Sequence, residues 1–318
     1  MPKLSRKWRG FRVEIEIPNR AAASLRGKKA RSNENASTLE FGPLPTIDLH
    51  RPEEAVERYM DSLRTTLEWY PDVWSGSPED GEDLAAKVGR LNWYHTLELP
   101  GGVVTPGYYD HRPLVPYYGI PDDLRGKRVL DVGSWDGFWT FEFERRGADV
   151  TAVDLDVLTK VDFPPQIRSA VVEAKLEQRF GGGFELARQA LGSKVERIVG
   201  NVYDLDPAEI GTFDLVHFSD VSQHLQRPLD AYRRIRAVTA GSAMIVDAFD
   251  PELDDSKNLV EYRGGWVDVT WWIPSLNTLA QLVLDAGFSD VRVQRVYRID
   301  PVGAPGTGRW RAILLARP

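Results

Sequence analysis

From residue 125 onward, short apolar runs recur along the chain. They are RVLDVG (128–133), VTAVD (150–154), RIVGN (197–201), FDLVHFSD (213–220) and AMIVDAF (243–249). Each has the length and the β-branched content of a buried strand. Between most of them, apolar residues fall three or four apart, the spacing of a helix face. Leu229, Tyr232, Ile235 and Val238 form one such face, with Gly241 just beyond. Ser275 caps another, which carries Leu276, Leu279, Leu282 and Val283 and stops at Gly287. Strands alternating with helices predict a mostly parallel sheet covered on both faces. VRVQRVY (291–297) and WRAILLA (310–316) have no helix between them and predict an antiparallel hairpin at the sheet edge. GFWTFEFERRG (137–147) reads both ways. Its apolar residues alternate like a strand, yet Phe138–Phe141 and Trp139–Phe143 share a helix face. The glycine turn before it and the strand after it favour a helix.

Upstream the pattern is weaker. Val56, Tyr59, Met60, Leu63 and Leu67 predict a helix over 53–70, between polar loops at 31–38 and 72–83. A short helix follows in DLAAKVGRL. The stretch 93–124 is rich in aromatics, Pro and Gly and predicts hairpins and loops. The chain therefore divides into an N-terminal extension (1–92, a basic arm plus helices), an aromatic lid or connector (93–124) and an α/β domain (125–318).

Composition narrows the chemistry. The 318 residues include no cysteine, which excludes disulfides, thiolate metal sites and cysteine nucleophiles. No apolar run approaches the roughly 18 residues of a membrane span, and the N-terminus lacks an apolar signal core. These features lead us to expect a soluble cytoplasmic protein. Lys and Arg number 40 and Asp and Glu 47, a net charge of −7. Residues 1–31 hold ten basic residues and two acidic ones, +8, which leaves −7 − 8 = −15 for the rest. A basic arm on an acidic body suits an anionic partner or simple solvation.

The chemistry centres on VLDVGSWDGF followed by VTAVDLD. A strand ends in Asp131, a tight turn carries Gly133 and Gly137, and Asp154 ends the next strand. This is the layout of a nucleotide-cofactor crevice, in which glycines admit a close ligand and the second acid accepts ribose hydroxyls. A dinucleotide site wants G-x-G-x-x-G, whereas this turn reads G-S-W-D-G. Asp131 and Asp136 would also repel a pyrophosphate. A cationic, phosphate-free nucleoside suits them better. S-adenosylmethionine fits, with its amino-acid part near Asp131 and the Gly133 backbone and its ribose near Asp154.

On these residues, over roughly 122–318, the chain resembles the class I S-adenosylmethionine-dependent methyltransferases. Their D-x-G-x-G-x-G motif is met by Asp131, Gly133 and Gly137, with Trp135 in the place of the middle glycine. The resemblance implies a Rossmann-like, seven-stranded, mostly parallel sheet whose seventh strand is reversed, here with an N-terminal extension or lid. It implies a cofactor site built from Asp131, Gly133, Ser134, Trp135, Gly137, Phe138, Asp154 and Leu155. Asn201 and Val202 would border the adenine, and Ser219 would lie beneath the methionine part. A narrower resemblance joins 93–112, SQHLQRPLDAYRRIR and TWWIPSLNTLAQLVLDAGF to the tRNA wobble-uridine (carboxymethyl)transferase branch. That branch uses a lysine in a Trp-x-Lys stretch to meet a carboxylated cofactor. Here the stretch is Trp93-Tyr94-His95, with His95 at the lysine place, which points to ordinary S-adenosylmethionine.

Methyl transfer is an in-line displacement that needs alignment and, for a protonated acceptor, a base. The base candidates are His224, just past the fourth strand, His95 in the aromatic passage, and Asp220. His217 reads as a hydrogen-bonded core residue, and His50 and His111 as loop residues. Asp247 reads equally as a base or as a satisfied strand-end acid. The acids at 250–255 read as a solvated loop, and no metal is expected. Tyr108, Tyr109, Tyr117, Tyr118, Tyr262, Trp266, Trp271 and Trp272 would roof the site. Arg112 and Arg263 read as surface ion-pair residues. Three functions compete: methylation of a small-molecule acceptor such as a sugar, glycoside or secondary metabolite; methylation of RNA, tRNA above all; and a non-catalytic partner subunit that keeps the fold. Either enzyme could work as a homo-oligomer.

Overall fold

The structure, a computed structural model, describes residues 3–8, 11–16, 60, 83–173, 180–267 and 269–318. The polar loops at 31–38 and 72–82, His50, the helix expected over 53–70 (Met60 excepted) and the arm beyond residue 16 lie outside the described residues. The chain divides into two units, 1–49 and 50–318, each described here by itself. In the first, β1 (Lys3–Trp8) pairs antiparallel with β2 (Phe11–Glu16), Lys3 opposite Glu16 and Trp8 opposite Phe11. Phe11, Val13 and Ile15 alternate with charged residues, a period of two that favours a strand even in a basic segment.

The second unit opens with a short helix, Leu84–Gly89, whose N-terminus is capped by the Asp83 carboxylate accepting from Ala86 N at 2.8 Å. The aromatic passage folds into a two-residue hairpin, β3 (Glu98–Leu99) with β4 (Val103–Val104), and 3₁₀ turns. The sheet strands follow in chain order: β5 (Arg128–Val132), β6 (Asp149–Asp154), β7 (Glu196–Val199), β8 (Phe213–Ser219) and β9 (Thr239–Ala248). A separate hairpin, β10 (Val260–Val267) with β11 (Thr270–Pro274), precedes β12 (Asp290–Ile299) and β13 (Arg309–Arg317).

The seven-stranded sheet runs β12-β13-β9-β8-β5-β6-β7. β5 through β9 pair in parallel, while β13 enters antiparallel between β9 and the edge strand β12. The side chains alternate between the two faces. Val129, Met244 and Val246 pack into one core with Phe143, Phe184 and Trp93; Leu130, Ala243 and Ile245 pack into the other with Tyr232, Ile235 and Val283. Helices Phe138–Arg145 and Gly182–Leu191 cover the first face, and Pro228–Val238 and Leu276–Asp285 the second.

The ambiguous segment is a helix, Phe138–Arg145, with Phe138, Trp139, Thr140, Phe141 and Phe143 buried. Phe138 and Phe141, and Trp139 and Phe143, are one helical turn apart and pack together into the core beneath the sheet. The helix Pro228–Val238 ends before Gly241, because Thr239 already starts β9. The β10–β11 hairpin falls where the sequence suggested only a roof of aromatics.

Gly137 sits at φ 88°, and a Cβ there would meet Phe141 at 2.5 Å and Phe184 at 2.9 Å. Gly137→Ala therefore adds left-handed strain to overpacking and is expected to cost about 2–4 kcal/mol. A urea titration should show a lower midpoint with an unchanged slope.

Candidate functional site

The carboxyl ends of β5, β6, β7 and β8 open on one cavity of about 460 Å³. In an open parallel sheet these ends are where ligands bind, at the point where strand order reverses from the first strand outward. Gly133 and Trp135 reach its wall from the turn after β5, and Asp154 and Leu155 from the end of β6. Asn201 and Val202 come from the end of β7, and Ser219, Asp220 and His224 from beyond β8. Tyr94 and His95 close it from the aromatic passage; Leu158, Asp162, Phe163, Phe180 and Val269 also line the wall.

The turn after β5 is held by Asp154. Its carboxylate accepts from Trp135 N at 2.6 Å and from Leu155 N at 2.7 Å. Burial pushes its pKa up to about 6, against the pull of both donors and of Arg197. Trp135 adopts φ 49°, the left-handed region that a glycine would occupy without strain. Its ring packs 5.2 Å from Phe180 and 6.1 Å from Tyr94. The middle glycine's conformation thus survives without the glycine. A Cβ on Gly133 (φ 80°) would strike Val221 Cγ2 at 2.3 Å, so this glycine admits a neighbouring loop.

Four residues of the expected cofactor set stand behind the wall. Asp131 is 2% exposed and is engaged by His217 Nδ1 at 2.8 Å and by Thr140 Oγ1. Its carboxylate is directed into the core and away from the cavity. His217 is the buried, hydrogen-bonded residue its apolar neighbours suggested, and its Nε2 lies 3.1 Å from Tyr118 Oη. Phe138 stacks on His95, and Gly137 packs on Phe141 and Phe184. Ser134 Oγ is buried with no partner among the described residues.

The base candidates differ in their surroundings. His224 Nδ1 lies 3.3 Å from the Val269 carbonyl, and burial lowers its pKa, so the ring is neutral. His95 pairs through Nδ1 with Asp136. Asp220, at φ 55°, forms an ion pair with Arg311, which is 2% exposed on β13. Asp247 is a satisfied strand-end acid, accepting from Ser222 N and Ala248 N. Burial and the nearby Asp220 push its pKa up to about 6. Of the expected roof, Trp271 donates to the Asp162 carbonyl at 2.7 Å and Trp272 to that of Gln226 at 3.3 Å. Tyr262 is exposed beside them. Among the described residues, no cluster of three His, Cys, Asp or Glu is placed to hold a metal ion.

Sequence reasoning missed Asp136 as a loop tie, Arg311, and Val269. A signal existed for Arg311: a lone charge inside the apolar run WRAILLA. None existed for Val269, which reaches the cavity only through the hairpin.

The sheet order, the reversed β13 and the crevice at the ends of β5 to β8 together define the class I S-adenosylmethionine-dependent methyltransferase fold. The chain belongs to the methyltransferase domain family, which matches residues 110–293. It is 30% identical over 173 residues to a tRNA U34 carboxymethyltransferase of Pseudomonas putida (strain GB-1), covering 54% of this chain and 48% of that one. The chain thus spans about half the length of the curated relatives it matches first. Over 56 residues it is 46% identical to a magnesium-protoporphyrin O-methyltransferase of Rhodobacter capsulatus, 16% of this chain and 25% of that one. Among solved structures it is similar in fold to the N-terminal domain of EvdMO1, crystallised in the presence of SAH (S-adenosylhomocysteine) and D-fucose. That match has a TM-score of 0.52 at 17% identity and covers 76% of this chain and 99% of that one.

The Asp131–His217 pair is buried on both sides, so removing one partner strands the other. Asp131→Ala leaves buried His217 and Thr140 without their acceptor and is expected to destabilise the fold by about 1–3 kcal/mol, visible as a lowered thermal midpoint. A midpoint within a degree of the parent's would show that the pair does not hold the sheet.

Proposed function

We propose that the chain is a cytoplasmic S-adenosylmethionine-dependent methyltransferase that methylates an oxygen or nitrogen of a small-molecule acceptor, such as a sugar, glycoside or secondary metabolite. The observation that carries this reading is the walled cavity at the ends of β5 to β8, with Asp154 in its lining. Its volume suits a nucleoside with a small acceptor beside it.

The residues present fit that cofactor. Asp154 would accept the ribose hydroxyls, Asn201 and Val202 would flank the adenine, and Gly133 with Ser219 would border the amino-acid part. When bound, the sulfonium supplies an electrophilic methyl group. Tyr94, Trp135 and Phe180 exclude water from that side. Acidic residues on the wall suit a cation and would repel a pyrophosphate.

A second reading, methylation of tRNA, draws on the names of the relatives and on the basic arm of residues 1–31. Against it stands the charge of −15 on the remaining residues, since phosphate contacts need basic surface. Several described arginines are also committed: Arg112 to Asp110 and Glu98, Arg263 to Glu261, and Arg292 to Asp290. Labelled S-adenosylmethionine with an acceptor panel decides between the two. Turnover that survives deletion of residues 1–31 and added salt supports the small molecule; transfer to tRNA that is lost on either change supports RNA. No binding of SAH in calorimetry would remove both readings.

Asp154 gives the sharper expectation. Its folded pKa near 6 means that the carboxylate, the form that accepts hydroxyls, is lost as pH falls through that value. Affinity for SAH should therefore rise between pH 5 and pH 7. Asp154→Ala should weaken it tenfold or more, about 1–3 kcal/mol, and flatten the pH dependence. An affinity untouched by either change would place the ribose elsewhere.

A further inference from the structure

Asp136 is a buried acid at the centre of the turn, 2% exposed, and it faces the aromatic passage. Its Oδ2 accepts from Tyr94 N at 2.8 Å and from His95 N at 2.7 Å, while Oδ1 pairs with His95 Nδ1. The His95 ring is clamped: it stacks on Phe138 at 5.5 Å and meets Tyr94 at 4.8 Å and His111 at 5.0 Å edge-on. Nδ1 is spent on the carboxylate. Nε2 bonds to none of the described residues, and His95 stands on the cavity wall. His111 beside it is held neutral, since burial pushes its pKa well down.

We infer that Asp136 is a positioning residue that keeps the His95 proton on Nδ1, so that Nε2 presents a lone pair to the cavity as proton acceptor for an acceptor hydroxyl. The inference rests on the methyl-transfer reading above. A carboxylate can only accept, so it selects the Nδ1–H tautomer and then stabilises the imidazolium once it forms. As the acceptor oxygen bonds the methyl carbon and the carbon–sulfur pair stays on sulfur, His95 Nε2 takes the hydroxyl proton. The products are a methyl ether, neutral SAH and a His95 cation paired with Asp136. A free amine brings its own lone pair and has no need of this base, so the dyad marks the acceptor class as a hydroxyl. His224 is less suited. Its Nδ1 meets a carbonyl, and no carboxylate hydrogen-bonds the ring to set its tautomer; Asp220, which acts on it through space, is itself paired with Arg311.

Imidazole ¹⁵N spectra of the SAH-saturated full chain test this, with the signals assigned by His95→Gln. In the parent, His95 should carry its proton on Nδ1, with Nε2 bare. Asp136→Asn, with its amide oxygen kept by the Tyr94 and His95 N–H groups and its NH2 turned to the ring, should move the proton to Nε2 and leave the His224 pattern unchanged. On a hydroxyl acceptor, the same change should lower kcat by roughly 10²–10⁴ with little change in KM. A parent His95 protonated on Nε2 overturns the inference whether or not the variants fold. So does an unmoved tautomer in a folded Asp136→Asn. Either result with SAH still bound leaves the methyltransferase reading standing. Failure of SAH to bind overturns both.

Discussion

Buried and half-buried carboxylates that accept main-chain N–H groups hold the site in shape. Asp154 ties the turn after β5 to the end of β6, and Asp136 ties that turn to the aromatic passage. Asp162 ties the loop after β6 to Gln226, and Asp247 ties the end of β9 to the loop after β8. Hydrogen bonds to a charged acceptor are each worth about 1.5–3 kcal/mol, enough to fix loops that have little apolar surface of their own. The cost of burying these charges shows at Asp154 and Asp247, whose pKa values rise to about 6. Of the two acids that suggested a cationic ligand, Asp136 is a strut of the cavity wall, and Asp131 is spent on His217 and Thr140 in the core.

Strain gathers in the same place. Among the described residues, the non-glycine positions with positive φ are Trp135, Asp220 and Val269, and all three line the cavity. Each conformation costs of order 1–3 kcal/mol and persists only where its surroundings impose it. Asp154 holds Trp135 through its N–H, Arg311 holds the Asp220 side chain, and Val269 caps the β10–β11 hairpin above His224. The cavity wall is therefore set by partners on other strands and loops. That rigidity is what alignment of a donor and an acceptor requires.

The sheet was legible because its signal is local. Runs such as RVLDVG and AMIVDAF are buried on both faces, as strands inside a covered sheet are. Helix Leu276–Asp285 announced itself through Ser275, which accepts from Thr278 N, and through Gly287 at φ 102°. The tight turn from Asp131 to Gly137 was legible for the same reason, since its glycines, at φ 80° and 88°, fix a backbone path. Periodicity alone left 137–147 undecided, and the β10–β11 hairpin was not foreseen, because aromatics suit a strand and a loop equally.

The sequence by itself determined the alternation of strands and helices, the crevice at the strand ends, and the residues that border it: Gly133, Trp135, Asp154, Asn201, Ser219 and His224. Only the tertiary structure decided which way the acids face. Asp131 turns inward to His217, Asp136 reaches back over forty residues to His95, and Asp220 meets Arg311 from the far end of the chain. A side chain's type fixes what it can bond. Its partner is fixed by how strands distant in sequence come together, and no local pattern records that.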